Sequence, residues 1–192
     1  QVAGKDNLRQ QTAIWQAMLA SAGLPFSKQI FIHGFITVDG QKISKRLGNT
    51  INPIEVAEKY GTDALRYYLL AKINPYDDSD FTFEKFEETY NGELANGLGN
   101  LVARTAKLCE NSGFEFPYDI SIYHTFDKKI ENALNEYRFD EALKIIWLEI
   151  SQTDKFINEE EPWTLKDDKL KKVLIHLADH IRSITFNLKP FL

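Results

Sequence analysis

Two lysines at a spacing suited to a polyanion stand in the first quarter of the chain. Lys42 and Lys45 lie three positions apart in the run 42–49. Because Asp39 and Gly40 form a turn signal just upstream, this run is predicted to be a mobile loop that leaves the end of a strand. An ammonium group on a flexible stem is a movable point charge that can follow phosphate groups. The spacing favours a phosphate-contacting loop, and the alternative is a pair of lysines that solvate a surface turn.

The elements around this loop are typical of the closing part of a nucleotide-binding α/β sheet. Apolar residues on one face predict a helix over about residues 6–22, and Gly23 ends it. A strand is predicted over about residues 29–38. After the loop, Asn52 is predicted to cap a short helix that Gly61 ends, and a second short helix follows.

Beyond the acidic, turn-forming segment 74–80, the chain is predicted to be helical. Apolar residues repeat every three or four positions over about residues 82–111, 122–137, 139–157 and 167–188. Four amphipathic helices with short links predict an antiparallel bundle. The fold class is therefore mainly α, with a residual βα unit ahead of the helical bundle.

Composition excludes several classes of protein. With 192 residues, of which 43% are hydrophobic, the chain is expected to be soluble and globular. A net charge of −5 argues against indiscriminate coating of nucleic acid but leaves room for a local RNA-binding patch. The single Cys109 cannot form an internal disulfide, and His176 and His180 share a helix face without a third ligand, so no metal is expected. No apolar run approaches twenty residues, which predicts a cytoplasmic protein without a membrane segment.

A polar pair lies on the first bundle helix, beside its leucine face. Asn100 and Arg104 are neighbours at i and i+4. An amide offers a donor and an acceptor to a base edge, and a guanidinium can stack on a base or meet a phosphate. Trp163 follows Pro162 after the third bundle helix, where a flat indole could stack an unpaired base. The alternatives are a solvated polar flank for the pair and a hydrophobic staple for the indole.

Taken with their flanks, these segments resemble one family. Residues 33–49 are similar to the KMSKS signature of class I aminoacyl-tRNA synthetases, closest to the methionyl group. Ile43 stands where the family usually has Met, and Arg46 stands where it has the final Ser, which adds a charge and removes a hydroxyl. Residues 96–104 resemble the helix with which that group reads the anticodon, and residues 161–163 resemble the position of its anticodon-stacking tryptophan.

The resemblance implies roles for ten residues. In the family, the signature loop stabilises the charge that develops on ATP while the amino acid attacks the α-phosphate. The resemblance implies that Lys42 and Lys45 are catalytic and that they bind ATP together with Ser44, His33 and Asp6. It places Trp15 and Gln11 in the amino-acid pocket. The anticodon-binding residues that it implies are Asn100, Arg104 and Trp163. Gln11 stands where many members have His, so contacts to methionine are expected to differ in detail.

The resemblance covers nearly the whole chain and implies three domains. Residues 1–50 would end a class I Rossmann-type catalytic domain, 51–80 would contact the tRNA stem, and 81–192 would bind the anticodon. The complete enzyme would use methionine, magnesium-bound ATP and tRNA(Met). The HIGH half of the nucleotide site and a zinc-bearing domain would lie upstream, so this portion is expected to bind RNA without catalysis and to hold no metal.

Two alternatives remain open. A class I ligase for valine, leucine, isoleucine or cysteine would share the lysine loop but should lack the combination of Asn100, Arg104 and Trp163. A non-catalytic helical RNA-binding module would need no lysine loop.

Overall fold

The structure is a computed structural model that describes residues 1–44, 48–116 and 126–192. Lys45 and Arg46 lie outside the described residues. The chain divides into two compact units: residues 1–52 with 72–82, and residues 53–71 with 83–192. The division into 1–50, 51–80 and 81–192 assigns roles and stays a prediction. The boundaries of the two compact units differ from this predicted division, because the helical segment 53–71 packs with the helices that follow residue 82.

The described residues of the first unit form two small sheets and one helical crossover. Strands β1 and β2 are parallel, with Gly4 opposite His33, and the helical segment predicted over about residues 6–22 connects them. Gly23 follows the helix with a φ of +66°, as expected for the residue that ends it. In chain order the elements are β1 (Val2–Gly4), a 3₁₀ turn (Lys5–Asn7), a π-helical turn (Gln10–Ile14), α1 (Trp15–Ser21), β2 (Phe31–His33), β3 (Ile36–Val38), β4 (Gln41–Lys42) and β5 (Ser79–Phe81).

The single strand predicted over 29–38 is wrong, because the chain forms β2 and β3 in different sheets. The break falls at Gly34, where the backbone runs against that of Asp77: a Cβ on Gly34 would lie 2.2 Å from the Asp77 carbonyl oxygen. At the next residue, the Phe35 N–H donates to the Asp78 carboxylate at 2.8 Å. These contacts turn the chain out of one sheet and into the other.

Strand β3 is the centre of the second sheet, whose order is β4–β3–β5. It is antiparallel to β4 and parallel to β5, so Thr37 lies opposite both Lys42 and Asp80. The β3–β4 hairpin turns at Asp39 and Gly40, whose φ values are +51° and +73°. Two left-handed residues in a two-residue loop match the twist of a hairpin. The turn predicted at these residues is therefore present, and it leads directly to Lys42.

The second unit is helical in all its described elements. The described bounds of α7 and α8 agree with the sequence prediction, and Gly61 and Gly113 adopt left-handed conformations after α2 and α5. The elements are α2 (Pro53–Tyr60), α3 (Thr62–Ala71), α4 (Phe83–Thr89), a π-helical segment (Tyr90–Gly99), α5 (Asn100–Ser112), α6 (Lys128–Asn135), α7 (Phe139–Glu160), a 3₁₀ turn (Pro162–Thr164) and α8 (Asp167–Leu188).

Two helix predictions need correction. The helix predicted over 82–111 is helical throughout but changes type, because the segment between α4 and α5 has π-helical hydrogen bonding and contains three glycines. The helix predicted over 122–137 is α6, which begins only after Asp127. The Asp127 carboxylate caps it by accepting from the Lys129 N–H. The helix ends before Tyr137, whose φ is +57°; residues 122–125 lie outside the described residues.

The core of the second unit lies where α7 and α8 pack on each other and on α5 and α6. Residues at a spacing of three or four on α7 are buried because they form one face of the helix. Each completely buried Leu or Ile contributes roughly 1.5–3 kcal/mol relative to exposure. The completely buried apolar residues are Ile130, Ala142, Ile146, Ile157, Leu174 and Leu177. No helix among the described residues is long and apolar enough to cross a membrane.

Candidate functional site

Lys42 ends β4 with an exposed side chain. Its Nζ lies 4.8 Å from the centroid of the Phe35 ring, and the Nζ of Lys5 lies 4.5 Å from the same centroid. An ammonium group at this distance is attracted to the ring face. Lys5 is also ion-paired with Asp78, whereas no carboxylate among the described residues lies within ion-pair distance of Lys42. The Lys42 charge is therefore available to an anion.

The base of the lysine loop is held by Asn49. Its side-chain oxygen accepts a hydrogen bond from the Ser44 N–H at 2.8 Å, and its side-chain nitrogen donates to the Lys42 carbonyl oxygen at 3.2 Å. One amide thus joins the two arms of the loop. Ser44 is half-buried at this junction.

Two aspartates next to and within β5 brace the hairpin that carries Lys42. The Asp80 carboxylate accepts hydrogen bonds from the Thr37 hydroxyl and the Gly40 N–H, both at 2.7 Å. The Asp78 carboxylate accepts from Lys5 and from the Phe35 N–H, and these donors hold the pKa of Asp78 below its usual value. Bonds to a carboxylate are stronger than neutral ones, so the hairpin has a fixed base.

Asp6 and His33 both lie beside Gly4, the last residue of β1. A Cβ on Gly4 would lie 2.8 Å from Asp6 Oδ1 and 3.7 Å from His33 Cε1. The Nδ1 of His33 lies 2.8 Å from the Gly34 carbonyl oxygen. Since a carbonyl can only accept, Nδ1 of His33 carries a proton.

Gln11 and Trp15 lie on the helical crossover that follows β1. Gln11 is half-buried, and its carbonyl oxygen accepts from the Gln16 side chain at 2.9 Å. Trp15 is 39% exposed. An indole so exposed presents a face to other groups rather than filling a core.

On the second unit, Arg104 is held by α7. One guanidinium nitrogen donates to the Asp154 carboxylate, and the other donates to the Asn158 side-chain oxygen at 2.8 Å. Asn100 begins α5 one turn earlier and is exposed. Arg104 therefore lies against the last turns of α7 with a defined orientation.

Trp163 follows directly from the end of α7. It sits in the 3₁₀ turn after Glu161, whose left-handed conformation redirects the chain, while Pro162 is buried and anchors the turn. The Thr164 hydroxyl donates to the Glu161 carbonyl oxygen at 2.8 Å. The indole is 58% exposed, so this turn presents it to solvent instead of stapling it to the helix.

The structure adds residues that the sequence analysis did not select. Asn49 and Asp80 hold the backbone that carries Lys42, and Asp154 and Asn158 hold Arg104. Asp154 and Asn158 could have been selected from the sequence, because they are spaced i, i+4 just as Asn100 and Arg104 are. No sequence pattern could have selected Asp80, since its partners lie 40 and 43 residues away.

Comparison with known proteins finds matches along almost the whole chain. The family described as tRNA synthetases class I (M) matches residues 1–106. Methionine–tRNA ligase 1 of Bacillus cereus is 39% identical over 98% of this chain and 31% of its own length. The methionine–tRNA ligase of Bacillus subtilis is 37% identical with the same coverage. The chain thus spans about a third of the length of these curated relatives.

Solved structures agree with these matches. A crystal structure of Mycobacterium tuberculosis methionyl-tRNA synthetase bound by methionyl-adenylate superposes with a TM-score of 0.86 and 25% identity, covering 99% of this chain and 41% of that one. A second structure of that enzyme, also with methionyl-adenylate, gives a TM-score of 0.84 and 28% identity.

Proposed function

We propose, from the premise that this chain belongs to the class I (M) family of tRNA synthetases, that it is the portion of a methionine–tRNA ligase that carries the ATP-stabilising lysine loop and the anticodon-binding helices. The complete enzyme would activate methionine with magnesium-bound ATP and transfer it to tRNA(Met) in the cytoplasm. The relatives' names support the reaction.

The first unit supplies the nucleotide side of the proposal. Lys42 and Lys45 contact the phosphates and stabilise the charge of the departing pyrophosphate, with Ser44 in the same loop. Lys42 is exposed, and no carboxylate in the part of the chain that the structure describes pairs with it, which supports this role. Asp6 and His33, which both lie beside Gly4, are the nucleotide contacts in this proposal.

The amino-acid pocket in this proposal includes Trp15 and Gln11. Both lie on the crossover that leaves β1, and the exposed Trp15 indole offers an apolar face to a thioether side chain. Gln11 supplies an amide group at the edge of this proposed pocket.

One observation supports the anticodon part of the proposal. Arg104 donates a hydrogen bond to Asn158 in the last turns of α7, and the exposed Trp163 lies five residues after Asn158. The guanidinium and the indole therefore belong to the same end of α7. Asn100 lies one turn from Arg104 on α5. Together they form the proposed cradle for the CAU triplet, in which Trp163 stacks on a base and the polar pair bonds to base edges.

The test replaces the indole. Trp163→Ala should weaken the binding of this chain to an anticodon stem-loop with CAU, measured by equilibrium binding at fixed salt. Stacking of one base contributes roughly 1–3 kcal/mol, so we expect CAU affinity to fall by about 5- to 150-fold.

Leu148→Ala is the matched control, because Leu148 lies on α7 and is also 58% exposed. It should leave the CAU affinity unchanged. A CAU affinity that survives Trp163→Ala contradicts the proposal, and equal binding of all triplets by the unchanged chain favours a general RNA-binding module or a ligase for another amino acid. The chain alone should show no ATP–pyrophosphate exchange.

A further inference from the structure

A groove of about 650 Å³ runs between α7 and α8 in the second unit. Its volume falls in the range of sites for small molecules, roughly 300–1,000 Å³. Four residues come from each helix. The lining residues are Glu149, Gln152, Thr153 and Phe156 on α7, and His176, Asp179, His180 and Ser183 on α8.

The groove is separate from the proposed anticodon site. Its α7 residues lie at positions 149, 152, 153 and 156, whereas Asp154 and Asn158 bind Arg104. At 3.6 residues per turn, these two sets point to opposite sides of α7. A ligand in the groove would therefore leave the Arg104 side of the helix uncovered.

One wall of the groove is a row of aromatic rings. The ring of Phe156 lies 4.8 Å from that of His176, and the ring of His176 lies 4.3 Å from that of His180. Burial, followed by the proximity of His176, lowers the pKa of His180. The His180 ring is therefore neutral near pH 7 and keeps a nitrogen that can accept a hydrogen bond.

The charges in the groove are negative. Among the described residues, no donor pairs with the Glu149 carboxylate, and burial together with the nearby Asp127 raises the pKa of Glu149. Asp179 is neutralised in part by Arg182 at 3.2 Å. No lysine or arginine is among the eight lining residues. The Glu149 carboxylate therefore lies beside aromatic rings and hydrogen-bond acceptors, and none of the lining residues supplies a cation to offset the cost of its partial burial.

We infer that this groove binds a free aliphatic polyamine. One ammonium group would pair with Glu149 and remove the cost of its partial desolvation. The methylene chain would lie along the rings of Phe156 and His176, and the face of Phe156 would attract the neighbouring ammonium groups. A second ammonium would reach the acceptors at His180 and Ser183. Metal binding does not fit, because no group of three metal-ligating side chains occurs among the described residues.

Spermidine is the probe, and the imidazole C–H signals of His176 and His180 are the readout by NMR at pH 7.5. Both signals should shift and saturate together. Glu149→Gln removes the charge and keeps the shape, so the apparent Kd should rise at least fivefold. Glu159→Gln is the control, because Glu159 is an exposed carboxylate on the same helix, paired with Lys155. It should not change the Kd.

Three outcomes overturn the inference. The histidine signals could fail to saturate with spermidine. Glu149→Gln and Glu159→Gln could weaken binding equally, as expected if an acidic chain attracts polycations everywhere. The uncharged 1,8-octanediol could shift the histidine signals as strongly as spermidine does, which would mean that the groove selects an aliphatic chain and not its charges. The inference does not depend on the anticodon proposal, since neither glutamate lies among the proposed RNA contacts.

Discussion

Arg104 on α5 donates a hydrogen bond of 2.8 Å from its guanidinium to the side-chain oxygen of Asn158 on α7. A second guanidinium nitrogen donates to Asp154, one turn earlier on α7. A guanidinium has five N–H donors in a planar fork, so these two bonds fix its plane and leave donors for another group. An arginine ordered in advance loses less conformational entropy when it binds.

We expect Asp154→Ala to weaken binding of a CAU stem-loop by about 2- to 12-fold, because ordering one such side chain costs roughly 0.5–1.5 kcal/mol. Stability should change by less than about 1 kcal/mol, since both partners are partly exposed. Equilibrium binding and urea unfolding measure the two effects. Glu159→Ala, which breaks an exposed pair on the same helix, should affect neither. If Asp154 instead only repelled phosphates, its removal would tighten binding of every stem-loop.

Asn49→Ala should free the base of the lysine loop. The Ser44 N–H loses the side-chain oxygen that accepts its hydrogen bond, and one such bond contributes roughly 0.5–1.5 kcal/mol. Amide hydrogen exchange at Ser44 should therefore accelerate about 2- to 12-fold. Thr50→Ala, at the exposed neighbouring residue, should leave that exchange unchanged. An unaltered exchange rate in Asn49→Ala would show that the loop base is held by other contacts.

The long helices were predictable because their evidence is local. On α8, apolar residues recur every three or four positions, and its described bounds, Asp167–Leu188, match the prediction. The same periodicity selected Ile146, Ile150 and Ile157, which are buried on α7. The periodicity of apolar residues indicates which face of a helix is buried, and the length of that apolar face indicates where the helix begins and ends.

The features that sequence reasoning missed depend on contacts between distant segments. The break at Gly34 is caused by Asp77, 43 residues later, and Asp80 holds a turn 40 residues away. The π-helical hydrogen bonding after α4 was also missed, because the spacing of apolar residues predicts a helix but not its hydrogen-bond type. Likewise, Arg104 was recognisable as a polar flank, but its partners on α7 lie 50 and 54 residues beyond it.

Gly34→Ala should destabilise the first unit by roughly 1–3 kcal/mol, the usual cost of forcing atoms into filled space. The added Cβ would meet the Asp77 backbone at 2.2 Å, which no side-chain rotation relieves. Gly92→Ala is the control, because nothing lies within 4 Å of its Cβ position. As a helical Gly→Ala change it should be neutral or stabilising by up to about 1 kcal/mol. Native-state hydrogen exchange of β3 amides measures the first effect, and a wild-type exchange rate in Gly34→Ala would contradict it.

Tyr67 is 2% exposed, and its hydroxyl donates to the Glu93 carboxylate. Burial, followed by that carboxylate, raises the pKa of Tyr67 far above its usual value of 10.0. Tyr67→Phe should cost about 1–3 kcal/mol near pH 7, because a partly buried carboxylate loses a donor.

The pH dependence of this difference follows from the same pKa. Below pH 10 the phenol is protonated in both the folded and the unfolded chain, so its contribution is complete. Above pH 10 only the unfolded chain releases the proton, which lowers the free energy of unfolding as the pH rises. The stability gap between the unchanged chain and Tyr67→Phe should therefore narrow between pH 9 and 11 in urea unfolding. Tyr90→Phe should show no such trend, since no hydrogen bond of its hydroxyl is found among the described residues. A gap that stays constant to pH 11 would mean that Tyr67 ionises equally in both states.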